Sequence, residues 1–345
     1  MPIEIRRCPE NPVVRPGTYP WRMAVTFNPG VIHEEGRFYL YERAAGSLRP
    51  FQCVIGMLES DDGVHFTHVT DQPVFTPAMA GSEHGSVQDP RVVRIDGTYY
   101  MTYAFRPYAW HCLPTGVGVP DAHQGEYPGF DGRDETNQTR SGIARSRDRI
   151  TWEHVAWVSS PDIDDRNVVL FPEKIGGRYA ALRRPQARVA TDTAHDADEA
   201  PAIRISYSDD LQTWTDPAVV VRPAFPWENN RIGASTPPIR TDEGWLVLYH
   251  GVESADEARR GVCYRMGAFL ADLDDPSRVL ARPRGFVMEP EEYYEKWGLF
   301  IPNVVFPTGA VVVDGLLHIY YGCCDTAIGL ATVPLDELVR HVKAG

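Results

Sequence analysis

The chain has 345 residues, 43% of them hydrophobic and 23% charged, with eight Trp, sixteen Tyr and thirteen Phe. That apolar content supports a sizeable core and excludes a disordered chain or a disulfide-held miniprotein. Lys and Arg number 34 against 47 Asp and Glu, and the resulting net charge of −13 argues against nucleic acid or a membrane surface as partner.

No apolar run is long enough for a membrane-spanning helix, and the opening MPIEIRRCPENPVV lacks the apolar stretch of a signal peptide. The six cysteines (Cys8, Cys53, Cys112, Cys263, Cys323 and Cys324) show neither a CxxC spacing nor a Cys/His cluster. Reduced thiols in a cytoplasmic protein are the expectation, with no metal site. No glycine-rich nucleotide loop is present either, so no organic cofactor is expected.

Taken in chain order, the predicted elements repeat. A Gly followed by alternating apolar residues opens GRFYLYERA at Gly36, GTYYMTYAF at Gly97, GRYAALRRP at Gly177, GWLVLYHGV at Gly244 and GLLHIYYGC at Gly315. Each segment reads as a half-buried strand after a tight turn such as Ile95-Asp96-Gly97. A second echo follows three of them, with Ser60-Asp61-Asp62 leading to Phe66, Ser146-Arg147-Asp148 to Trp152 and Ser208-Asp209-Asp210 to Trp214. These Ser-x-Asp turns resemble the Asp-boxes of sialidases and are read as structural, because short side chains bond the turn backbone. Five units of roughly 70 residues, each of about four short strands, predict an all-β fold. We read it as a five-bladed β-propeller, one domain over residues 1–345. A β-sandwich is the competing architecture, and the long period argues against it. Only Leu335 to Lys343 reads as helix, a C-terminal cap. Residues 108–140, Gly/Pro-rich and carrying Tyr108, Trp110, Tyr127 and Phe130, read as a loop insertion. Such a loop commonly shapes a site, and its aromatics would suit stacking on a sugar or a contact within a homo-oligomer.

Propellers place function around the central channel, so polar residues inside apolar strands are the candidates. Asp89 in GSVQDPRVV is one, with a turn cap or an Arg91 ion pair as its structural alternative. Asp325 in YYGCCDTAIGL is another. Arg43, Arg49, Arg166, Arg231 and His250 form an excess of cationic or imidazole groups in polar-poor contexts. Each taken singly fits a salt bridge or the surface; gathered at one channel mouth they would suit a phosphate.

These residues lie in motifs that resemble glycoside hydrolase family 130, the β-mannoside phosphorylases. The motifs run in order from FNPGVI at Phe27 through SVQDPRV, NVVLFPEKIGGRY, Arg184-Pro185, RIGASTPPI, GWLVLYHGV, EPEEYYEK and NVVFPTGAVV to YYGCCDTAIGLAT. The resemblance spans nearly the whole chain and implies a five-bladed propeller. It implies that Asp89 is the single catalytic acid, and that Asn28, Arg43 and Asp325 bind the mannosyl unit. It implies that Arg49, Arg166, Asn167, Arg231 and His250 bind phosphate. Arg231 stands where many members have Lys, and Arg183 where His is common.

The implied activity is inverting phosphorolysis of β-1,2- or β-1,4-linked manno-oligosaccharides, giving α-mannose 1-phosphate and a shortened acceptor. Phosphate is itself the nucleophile, so one acid suffices, whereas an inverting hydrolase needs a second carboxylate to activate water. In this family the acid is understood to pass its proton through the 3-hydroxyl of the bound mannose. The alternative is a phosphate-independent β-mannoside hydrolase of the same family, for which Glu228 would be the base.

Overall fold

The computed structural model describes residues 3–110, 137–186, 201–256 and 261–345. Its strands form five antiparallel sheets in a ring, the expected five-bladed β-propeller. The innermost strands are Val25–Glu34, Ser86–Ile95, Asp164–Leu170, Arg231–Ala234 and Val305–Val313. The Gly-led repeats are the second strands, Arg37–Ala45, Thr98–Arg106, Tyr179–Gln186, Gly244–Asp256 and Leu316–Cys323. Four of the five hairpins joining first to second strand have two successive residues at positive φ, namely Glu35-Gly36, Asp96-Gly97, Gly176-Gly177 and Asp314-Gly315. That is the turn whose twist matches a two-stranded ribbon, which is why Gly recurs there.

The ring is closed by Arg6–Arg7, which pairs with Ala331 and Thr332 as the outermost strand of the fifth blade. The sequence reading does not anticipate this closure, since two residues carry no periodicity. The C-terminal helix spans Leu335–Ala344, and a single further helical turn forms at Tyr293–Lys296. No helix among the described residues is long and apolar enough to cross a membrane.

The apolar core lies between blades. One cluster joins Ile32 and Tyr41 of the first blade to Val92 and Met101 of the second; others join second to third, third to fourth, fourth to fifth and fifth to first. No blade buries its faces alone, so the ring holds its inner strands at fixed separations. The three Ser-x-Asp turns are structural, as read. Asp62, Asp148 and Asp210 each accept two backbone N–H groups through Oδ1, at 2.7–2.9 Å.

The innermost strands share one irregularity. Pairing with the second strand slips between Phe27 and Gly30, between Gln88 and Arg91, between Arg166 and Val169, and between Pro307 and Gly309. Inside the first three bulges Asn28, Asp89 and Asn167 have φ of 44°, 52° and 56°. Asn and Asp tolerate this left-handed region better than other side-chain-bearing residues, and a bulge re-aims the side chain it carries. In the fourth blade the inner strand breaks instead. Arg231–Ala234 and Ile239–Thr241 pair with the same neighbour on either side of Ser-Thr-Pro-Pro, whose two prolines have no N–H to donate.

Candidate active site

The bulged residues meet inside the ring. Asp89 is the centre of the first group: its Oδ1 accepts from Asn28 Nδ2 and from Arg43 Nη1, both at 2.8 Å. Gly322 makes room for Asn28, since a Cβ there would meet Asn28 Oδ1 at 2.0 Å. The Arg43 guanidinium lies 4.3 Å from the Phe27 ring centroid, and its Nε donates to Cys53 Sγ at 3.2 Å. Burial works to raise the Asp89 carboxyl, but Arg43, Arg91 and Asn28 outweigh it and hold it below the usual carboxylate range. Asp325 reaches the same place from the fifth blade, also at positive φ. Burial, with Asp89 adding repulsion and Arg43 opposing, pushes its carboxyl up to about 7. Two acids around one arginine thus hold their protons very differently.

The second group is cationic. Arg184 and His250 are buried, and Arg184 Nη1 donates to His250 Nε2 at 3.3 Å. His250 Nδ1 lies 3.1 Å from Ser235 Oγ. Nε2 accepts, so the ring proton sits on Nδ1 and points at that hydroxyl. Burial first, then Arg184, Arg91 and Arg231, hold His250 well below the ordinary histidine value, so the imidazole is neutral. Arg231 donates through Nη2 to Tyr264 Oη at 2.6 Å and through Nη1 to Asn230 Oδ1. The Tyr264 ring stacks on His250 at 6.0 Å. Gly233 lets the group close up, since a Cβ there would meet His250 Cε1 at 2.6 Å and Asn167 Oδ1 at 2.9 Å. Burial, Arg231 and Arg166 together pull the Arg184 pKa down to about 9. Such crowding of cations is relieved by an anion.

Most of the expected site residues therefore come together, in two adjoining groups: Asn28, Arg43, Asp89 and Asp325 in one, Asn167, Arg231 and His250 in the other. Arg166 is placed beside the second group, but Nε and Nη2 grip the buried Asp164 at 2.8 and 2.9 Å. Arg49 lies on the turn following Arg37–Ala45 and is exposed.

Arg184, Tyr264, Ser235 and Arg91 belong to the site and escape the sequence reading. For Arg184 a signal existed. In the strand Tyr179–Gln186 neighbours face opposite ways, and Arg183 turns aside to Asp165 and Ser206, at 2.6 and 3.2 Å, leaving Arg184 the channel. Glu228, the candidate hydrolytic base, is fully buried and occupied. It accepts from Ala224 N, Phe225 N, Tyr249 Oη and Arg282 Nη2, at 2.9, 3.3, 2.7 and 2.5 Å. It caps a turn and braces blade four, with no lone pair left for a water nucleophile.

Tyr127 and Phe130 of the 108–140 insertion lie outside the described residues. At its near end Trp110 covers Arg106, with the guanidinium 3.8 Å from the ring centroid, and Tyr108 N donates to Asn137 Oδ1 at 3.0 Å. Among the described residues no group of three or more His, Cys, Asp and Glu is placed to hold a metal.

A five-bladed ring with a carboxylate pair beside a buried cationic pocket is a glycoside-processing architecture. The chain belongs to glycoside hydrolase family 130. The family profile, described as beta-1,4-mannooligosaccharide phosphorylase, matches residues 4–113 and 129–344. The chain is 34% identical to a 1,2-beta-oligomannan phosphorylase of Thermoanaerobacter sp. (strain X514), over 97% of this chain and 99% of that one. It is 31% identical to a beta-1,4-mannooligosaccharide phosphorylase of Ruminococcus albus, over 99% and 91%. The fold superposes on the solved beta-1,2-mannobiose phosphorylase of Listeria innocua in complex with beta-1,2-mannobiose, with a TM-score of 0.74 and 25% identity over 99% and 100% of the two chains.

Proposed function

We propose that this protein is an inverting β-mannoside phosphorylase, converting a β-manno-oligosaccharide and inorganic phosphate to α-mannose 1-phosphate and a shortened acceptor. The observation that carries the reading is the buried Arg184–His250–Arg231 cluster, crowded with positive charge, next to the Asp89–Arg43 pair. The relatives named above, phosphorylases of β-1,2- and β-1,4-mannosides, support it.

In the reaction, Asn28, Arg43 and Asp325 hold the mannosyl unit. Phosphate, held by Arg184, Arg231, His250 and Asn167, attacks C1. The C1–O bond to the leaving sugar breaks as the phosphate–C1 bond forms. Asp89, which rests as a carboxylate, takes up a proton from solvent in the substrate complex, passes it to the leaving oxygen through the mannosyl 3-hydroxyl, and returns to the carboxylate stabilised by Arg43. The phosphate-independent reading has less support, because Glu228 is spent on structure. A phosphorylated product is retained by a membrane-bounded compartment, which suits a cytoplasmic enzyme.

The test is incubation with β-1,2- and β-1,4-mannobiose, with and without phosphate. Formation of α-mannose 1-phosphate only when phosphate is present supports the reading, and the disaccharide consumed identifies the linkage. Release of free mannose at the same rate without phosphate overturns it.

A further inference from the structure

We propose that Arg91 is a positioning residue for this reaction: a strut across the channel that fixes the distance between the strand carrying Asp89 and the strand carrying the phosphate-binding groups. The inference rests on the mannoside phosphorylase reading above.

Arg91 is 2% exposed and follows the Asp89 bulge directly. Its Nη1 donates to the Asp89 backbone carbonyl at 2.7 Å, and its Nε donates to the Ser235 backbone carbonyl at 3.0 Å. One guanidinium therefore ties the second blade to the fourth, passing over the third. Both acceptors sit where the backbone leaves its regular ladder. Asp89 lies in a bulge at φ 52°, and Ser235 opens the break in the fourth inner strand.

Each anchor also belongs to one half of the chemistry. Asp89 is the acid, and the Ser235 hydroxyl faces His250 Nδ1. The Phe306 ring, 5.6 Å from the guanidinium carbon, packs the strut from the fifth blade. Nη2 is buried without a hydrogen-bond partner among the described residues. Holding a buried cation here is costly, and burial draws its pKa down to about 10. A point charge would not need this arrangement. What a planar fork adds is a fixed span between two carbonyls, which a lysine cannot reproduce. Displacement requires the phosphate oxygen and the departing oxygen to be held on opposite sides of C1, and misplacement of about 1 Å costs roughly 100-fold in rate.

The experiment is steady-state phosphorolysis by the Arg91→Lys variant. We expect kcat to fall by about 100-fold while KM for phosphate and for mannobiose stays within about threefold. Phosphate should still raise the Tm of the variant. Wild-type kcat in Arg91→Lys overturns the proposal, since charge would then suffice. A raised KM for phosphate with kcat unchanged also overturns it, since Arg91 would then be an anion ligand. A crystal of the wild-type protein with phosphate decides the matter even where the variant does not fold. Both carbonyl contacts are expected to persist, and a guanidinium swung onto the phosphate sinks the strut. Failure of the underlying reading looks different: the wild-type protein makes no mannose 1-phosphate at all.

Discussion

Arg43 and Asp89 belong to neighbouring blades and meet at 2.8 Å, so Asp89 rests as an arginine-paired carboxylate and must take up a proton before it serves as the donor of the proposed reaction. Asp89→Asn keeps the shape and the Asn28 and Arg43 contacts but cannot cycle a proton. We expect phosphorolysis to fall by about 10²–10⁴-fold, with circular dichroism unchanged. Retention of full mannose 1-phosphate formation removes Asp89 from the mechanism.

The pH dependence follows from Asp325, whose carboxyl is raised to about 7, chiefly by burial. The Asp325 proton is present below that value and leaves above it, which puts a second negative charge beside Asp89. The rate kcat/KM of the free enzyme should therefore decline as pH rises through about 7. Stability has a related sign. A carboxyl that holds its proton more tightly when folded makes the folded state lose stability as pH rises from about 4 to about 7. Asp325→Asn should melt higher than wild type at pH 8 and equal to it at pH 4. An unchanged difference across that range would refute the assignment.

Arg184 sets function against stability. Its charge is buried among Arg231 and Arg166, and its Nε has no hydrogen-bond partner among the described residues. Arg184→Met should melt at or above the wild-type temperature without phosphate, and should lose the rise in Tm that phosphate produces in wild type. Thermal melts over a phosphate titration read both. A variant that melts lower and still responds to phosphate contradicts the placement of Arg184 in the anion pocket.

Gly233 tests the packing of that pocket. The Cβ of Gly233→Ala would enter the His250 ring and the Asn167 amide, at 2.6 and 2.9 Å. We expect KM for phosphate to rise by about tenfold or more, an effect of about 1.4 kcal/mol, while the KM for mannobiose changes little. Equal changes in both constants would mean that His250 and Asn167 do not serve the anion.

Glu228→Gln separates the two enzyme readings. It breaks a buried pair with Arg282, at 2.5 Å, and should lower stability by about 3 kcal/mol. The folded fraction should keep its dependence on phosphate. Loss of a phosphate-independent mannose release in this variant would instead make Glu228 a hydrolytic base.

Much of this was legible in order along the chain. Period-two alternation after each Gly, together with the Ser-x-Asp turns, implied the blades, because strand and turn preferences are local. The helix predicted over Leu335 to Lys343 forms one residue longer. The site was legible in part. An acid or amide beside a proline, as in FNPG and QDPR, marks a bulge as well as a candidate ligand, and Asn28 and Asp89 do come together. Closure by Arg6–Arg7 was not legible, because its partner strand is more than 300 residues away in the chain.

What the sequence determined by itself was the inventory: five repeats, the bulge-forming residues, and more cationic groups than apolar strands need. Tertiary structure alone decided how those groups divide. Arg183 and Arg184 are adjacent and chemically identical, yet one is neutralised by Asp165 and the other is left facing His250. Glu228 and Asp89 are both enclosed carboxylates, yet one braces a blade and the other faces the channel. Side-chain direction follows from the alternation of a strand, but which charges it meets is set by the neighbouring blades. Those contacts cross the ring, and electrostatic partnership depends on distance in space rather than along the chain.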